Sequence, residues 1–138
     1  GQAVVDRSII GNGSEICGEV HNCVIGSGVT IEEGAVIRDS IIMQDVHIGR
    51  GCVLEKAIVA ENCEIGDRVT LGIGSDVPNK SKPAIYSFGL VTIGENSVIP
   101  DGVQVGKNTA ISGVTSKEDY PGGVLASGET LIKAGERV

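Results

Sequence analysis

The chain has 138 residues, a length that suits one domain. Its net charge of −7 argues against nucleic acid, where Lys and Arg must neutralise phosphates. No apolar run approaches the ~20 residues that a membrane-spanning helix needs. Hydrophobic residues make up 41% and charged residues 21%, so folding is expected, but the only aromatics are Tyr86, Phe88 and Tyr120. A core this poor in aromatics must be thin and aliphatic.

Residues 1–24 read as an irregular first rung, with Ile10, Ile16 and Val20 as inward candidates at steps of six and four. Residues 20–72 are regular. Ile25, Ile31 and Ile37 are six apart, as are Ile42, Ile48 and Leu54, and Val59, Ile65 and Leu71; the step between triplets is five. Each position therefore returns after 17 residues. Ile25, Ile42 and Val59 define one face, Ile31, Ile48 and Ile65 a second, and Val20, Ile37, Leu54 and Leu71 a third. A step of six fits neither a 3.6-residue helix nor simple strand alternation. It fits an all-β fold, a parallel β-helix of triangular coils, each about 17–18 residues long and stacked ~4.8 Å from the next.

Two further columns support this register. Two residues before each key aliphatic lies a small position holding Cys23, Val29, Ala35, Ser40, Val46, Cys52, Ala57, Cys63, Val69, Ser97, Val103 or Thr109. These are expected to point inward, which assigns three of the four cysteines to packing and leaves Cys17 outside the register. Three residues after the aliphatic stand Gly28, Gly34, Gly51, Asn62, Arg68, Asn96, Gly102 and Asn108. Gly and Asn tolerate positive φ, so these are corners, with strain or an altered corner expected at Arg68.

Residues 73–90 break the hexads and contain Pro78, Pro83, Lys80, Lys82, Tyr86 and Phe88. They read as an excursion loop whose lysines and aromatics suit docking or anion contact as well as plain solvation. The hexads resume at Ile93, Ile99, Val105 and Ile111. Residues 113–138 form a C-terminal cap in which Val124, Leu125, Leu131 and Ile132 supply closing strands. The whole of 1–138 is expected to be a single β-helix domain.

Chemistry-bearing residues are few. No C-x-x-C pair exists, so zinc spacing is absent. Asp45 and His47 form an outward Asp-x-His pair, the best general-base candidate, although an exposed surface pair is the simpler reading. His21 beside the first rung reads as surface. Gly26 and Gly28 resemble a phosphate loop but fall on repeat positions, where glycine serves the coil. Glu32-Glu33 and Lys117-Glu118-Asp119 are most simply solvated. No catalytic, cofactor-binding or metal-binding residue is assigned; a hexapeptide metal centre of the three-histidine kind would need more than the two histidines present.

Parallel crossovers are generally right-handed. The hexads resemble those of hexapeptide-repeat proteins, and that resemblance implies a left-handed parallel β-helix instead. More specifically, residues 36–72 (VIRDSIIMQDVHIGRGCVLEKAIVAENCEIGDRVTLG) and GLVTIGENSVIPDG at 89–102 resemble the C-terminal region of bacterial glucose-1-phosphate adenylyltransferases. The resemblance implies a non-catalytic oligomerisation or regulatory module of a nucleotidyltransferase making ADP-glucose for glycogen synthesis. It implies, too, an N-terminal nucleotidyltransferase domain as partner, assembly into homo- or hetero-oligomers, and a cytoplasmic location. Mg and ATP are implied for the parent enzyme and no cofactor for this chain, which lacks the Gly-Gly-x-Gly-x-Arg-Leu loop. Two alternatives stand beside it: a hexapeptide acyltransferase acting through His47, and a purely structural assembly domain.

Overall fold

The computed structural model describes residues 3–133. The chain winds into stacked coils whose short strands lie on three parallel sheets. Sheet A comprises β1 (Val4–Asp6), β4 (Glu19–His21), β7 (Val36–Arg38), β10 (Val53–Glu55), β13 (Thr70–Leu71), β16 (Gln104–Val105) and β18 (Val124–Leu125). Sheet B comprises β2 (Ile9–Ile10), β5 (Val24–Ile25), β8 (Ile41–Ile42), β11 (Ala57–Val59), β14 (Val91–Ile93), β17 (Thr109–Ser112) and β19 (Thr130–Ile132). Sheet C comprises β3 (Glu15–Ile16), β6 (Thr30–Ile31), β9 (His47–Ile48), β12 (Glu64–Ile65) and β15 (Val98–Ile99). The fold is thus an all-β parallel solenoid.

The register is that of the 17-residue repeat. Ile25 pairs with Ile42 and Ile42 with Val59 on sheet B; Ile31, Ile48 and Ile65 align on sheet C; Val20, Ile37, Leu54 and Leu71 align on sheet A. All of these side chains are buried, as is every member of the small column from Cys23 to Thr109. The polar members of that column bind across rungs. Ser40 Oγ accepts from Ala57 N at 3.0 Å and donates to Arg38 O at 2.7 Å, while Cys63 Sγ donates to Gly94 O at 3.1 Å. A small side chain that can hydrogen-bond therefore fills the column without leaving a buried polar atom unpaired.

All eight predicted corner residues adopt positive φ, from 56° at Arg68 to 80° at Gly34. Arg68 takes the same left-handed turn as its neighbours, so the corner is unaltered and the cost is strain alone. A second corner column went unread in the sequence. Arg7, Asn22, Asp39 and Lys56 sit where sheet A passes to sheet B, and all have φ between 48° and 56°. Asn22 and Asp39 suit a left-handed backbone, but Arg7 and Lys56 do not announce one, and the column contains no Gly. The five-residue step between triplets is this tighter corner.

The first rung is shorter than the rest. Val5 pairs with Val20, Ile10 with Ile25 and Ile16 with Ile31, each 15 residues apart. The two missing residues lie between Ile16 and Val20. There Gly18 is buried so closely that a Cβ would collide with the carbonyl oxygen of Ala35. Among the described residues no strand covers the outer edges of β1, β2 and β3, and Ile9 is 69% exposed. The opposite end is closed by turns at Lys117–Asp119 and Pro121–Gly123, with Tyr120 buried beneath them and its hydroxyl 2.8 Å from Thr115 Oγ1.

The excursion has the length of one coil. Val59 pairs with Ile93, Ile65 with Ile99 and Leu71 with Val105, each pair separated by 34 residues, twice the 17-residue repeat. In phase, the key positions of the absent coil are Asp76, Lys82 and Phe88, and its small positions are Gly74, Lys80 and Tyr86. Burying Asp76, Lys80 and Lys82 along the axis of a dry core would cost several kcal/mol per charge, on the order expected for an unpaired ion. Extrusion of that coil avoids the cost, and the stack closes over the gap.

Two expectations follow. Ile48→Ala, at a site with no solvent exposure, should lower unfolding free energy by about 2–5 kcal/mol in chemical denaturation. Arg68→Asn should raise it by up to about 1 kcal/mol, because Asn visits the left-handed region more readily.

Candidate functional site

His47 opens β9 and projects outward from sheet C, between the rungs of Thr30 and Glu64. Its Nε2 lies 2.8 Å from Glu32 Oε2, and its Nδ1 is hydrogen-bonded to Glu64 Oε2. The expected Asp45–His47 pair is not formed. Asp45 is a corner residue with φ 57°, and its carboxylate lies over Gly28, where a Cβ would strike it. Glu32 is correspondingly not a simply solvated charge but a partner of His47. Partial burial pushes the imidazole pKa down, but the hydrogen bonds it donates to Glu32 and Glu64 outweigh this and raise it above the ordinary histidine value. Both ring nitrogens are occupied and the charged form is favoured, the opposite of what a general base needs.

His21 repeats the arrangement on sheet A. Its Nε2 is 3.1 Å from Glu19 Oε1 and its Nδ1 3.3 Å from Asp6 Oδ2, and these two hydrogen bonds raise its pKa. Each histidine is thus held between two carboxylates, both from adjacent coils at His47 and one of them at His21. Such clamps tie rungs together. Among the described residues no group of three or more His, Cys, Asp or Glu side chains is placed to hold a metal.

Aspartates act similarly at the corner between sheets C and A. Asp67 Oδ1 accepts from Arg50 N at 2.9 Å, and Asp101 Oδ1 accepts from Asp67 N at 2.8 Å. Gly26 lies under the next rung, where a Cβ would come within 2.8 Å of Gln44 N, leaving no room for a phosphate. Cys17 is an exposed free thiol. Asp119, expected to be solvated, accepts from Ser116 N at 2.8 Å and from Lys133 Nζ at 3.0 Å, contacts that lower its pKa.

The excursion at 73–90 is fastened to the solenoid by two asparagines. Asn79 is buried; its Nδ2 donates to Asn108 O at 2.9 Å and Thr130 Oγ1 at 3.1 Å, and its Oδ1 accepts from Ser81 N and Lys82 N, each at 2.9 Å. Asn108 Nδ2 donates to Asp76 Oδ1 at 2.6 Å and Val77 O at 2.7 Å, while its Oδ1 accepts from Gly89 N at 2.8 Å. Lys80 is paired with Glu129 and Lys56 Nζ reaches Phe88 O at 3.4 Å. A recess of about 380 Å³ lies among Asp76, Pro78, Pro83, Tyr86 and Phe88. Phe88 is 83% exposed in a left-handed conformation. The loop is therefore a fixed projection, and Lys80, one of the two lysines read as anion contacts, is neutralised by its own chain.

A family model described as GlmU-like, C-terminal hexapeptide, matches residues 1–93. The chain belongs to that family. Other members give the match more detail. A glucose-1-phosphate adenylyltransferase of Lachnospira eligens is 58% identical over 134 residues, covering 97% of this chain and 32% of that protein. One from Acetivibrio thermocellus is 40% identical over 132 residues, covering 96% of this chain and 31% of its own length. One from Thermotoga maritima is 42% identical over 128 residues, with 93% and 30% covered. The hexapeptide chain thus spans about a third of the length of the curated relatives it matches, and corresponds to their C-terminal part. No helix among the described residues is long and apolar enough to cross a membrane.

Two outcomes are expected. Because the folded-state pKa values of His21 and His47 are raised, their contribution is full below pH 6.5 and is lost as pH rises through the folded values. Thermal midpoints should therefore fall between about pH 6 and 8, and His47→Gln should reduce that slope in scanning calorimetry. Asn79→Ala leaves the Ser81 and Lys82 amides without their acceptor; their hydrogen exchange should accelerate, with a stability loss of about 1–3 kcal/mol.

Proposed function

We propose that this chain is the non-catalytic β-solenoid module of a glucose-1-phosphate adenylyltransferase, where it joins subunits and transmits regulation to a nucleotidyltransferase domain. The observation that carries this reading is the 58% identity across 97% of the chain to the C-terminal third of such a protein. The residues agree with it. The outward polar groups are spent on fastening one rung to the next, as with His21, His47, Asp67 and Asp101. None is left in the arrangement of nucleophile, base and oxyanion donor that acyl transfer requires. ATP, Mg and glucose 1-phosphate belong to the nucleotidyltransferase domain in this reading, and the assembled protein works in the cytoplasm.

The reading predicts an asymmetry of activity. The 138-residue chain, supplied with ATP, Mg and glucose 1-phosphate, should release no pyrophosphate. A polypeptide joining it to the nucleotidyltransferase domain of the Lachnospira eligens relative should release pyrophosphate, and deletion of the solenoid should alter subunit number and effector response. Pyrophosphate release by the isolated chain, or a fusion whose assembly and regulation ignore the deletion, would overturn the reading.

A further inference from the structure

The three sheets differ in charge. The strands of sheet A carry Asp6, Glu19, His21, Arg38 and Glu55, and those of sheet C carry Glu15, His47 and Glu64. The seven strands of sheet B contain no ionisable side chain. Their outward positions align in one ladder: Ile9 beside Val24, Val24 beside Ile41, Ile41 beside Ile58, then Thr92, Ala110 and Thr130. The excursion lies along the upper end of this ladder, where Lys82 and Tyr86 form a recess with Thr92 and Ala110. The lower end is bare. Ile9 is 69%, Val24 47% and Ile41 43% exposed, and Met43 stands beside them.

We propose that this bare aliphatic ladder is a docking surface for a second copy of the chain; the inference rests on the assembly role proposed above. Charge selects the face. Two chains of net charge −7 repel, and of the three sheets only B has strands free of carboxylates to set against each other. Spacing selects the partner. β-Branched side chains repeating every ~4.8 Å interdigitate best with a ladder of the same repeat, as in face-to-face sheet packing. A two-fold axis normal to the sheet also puts the two excursions at opposite ends, so the bare segments meet without obstruction. The four-rung ladder is only about 14 Å long, which makes it the core of a small, reversible interface rather than a permanent one.

The test is sedimentation equilibrium of the chain from about 10 to 500 µM, a range that brackets a micromolar dimer. Ile41→Glu places a charge at the centre of the ladder, Val24→Thr keeps the side-chain shape while adding a hydroxyl, and Val53→Glu makes the matching change on sheet A. Circular dichroism and thermal midpoint verify that each variant is folded. A dimer weakened at least tenfold by Ile41→Glu, less by Val24→Thr and not by Val53→Glu supports the proposal. A dimer indifferent to the two sheet B variants overturns the ladder while leaving the assembly role intact. A chain that stays monomeric throughout overturns both for this module.

Discussion

The structure depends on corners that turn the chain through a left-handed backbone while keeping one aliphatic directly above another. Each corner displaces the chain to a new face without changing its height by more than one strand spacing. With the corners set, Ile31, Ile48 and Ile65 have no choice but to stack. The core then needs no large side chains: β-branched and leucyl residues span the narrow coil, and Ser, Cys, Ala or Val fill what remains. Regularity has a cost in strain where a corner lacks Gly or Asn, as at Arg68 and Lys56.

Much of this was legible in the sequence, for a physical reason. A repeat multiplies each constraint, so the inward aliphatics, the small column and the six-step corners are each sampled many times. Features that no shared residue type marks, or whose partners lie a coil away, were not legible. The five-step corner is built from Arg7, Asn22, Asp39 and Lys56, of which only Asn22 and Asp39 are types that favour a left-handed backbone. The partners of His47 are 15 and 17 residues away, and a search for a neighbouring carboxylate finds Asp45, which the corner turns aside. The excursion was visible as a loss of hexads. Its identity as one expelled coil emerges from the pairing across it, and the reason is then plain in Asp76, Lys80 and Lys82.

Charge on the surface is distributed with the same regularity as the core. On sheets A and C, His21 and His47 bind carboxylates of neighbouring rungs, so part of the ionic character is directed along the stack. Sheet B is left neutral, covered at one end by the excursion and bare at the other. Beside the recesses around the excursion, what the solenoid offers to other molecules are faces, and these faces are chemically distinct.

The two ends of the stack are unequal as well. Tyr120 is buried among the turns that precede β18, whereas the first described coil is two residues shorter than the others, with a tight corner at Gly18. In a stack where each coil is held by its neighbours, disorder enters from whichever terminus is less firmly held. A coil is therefore only as secure as the surface laid against it. A molecule seated on either end coil would act as a latch, and its departure would be sensed by the coils beyond.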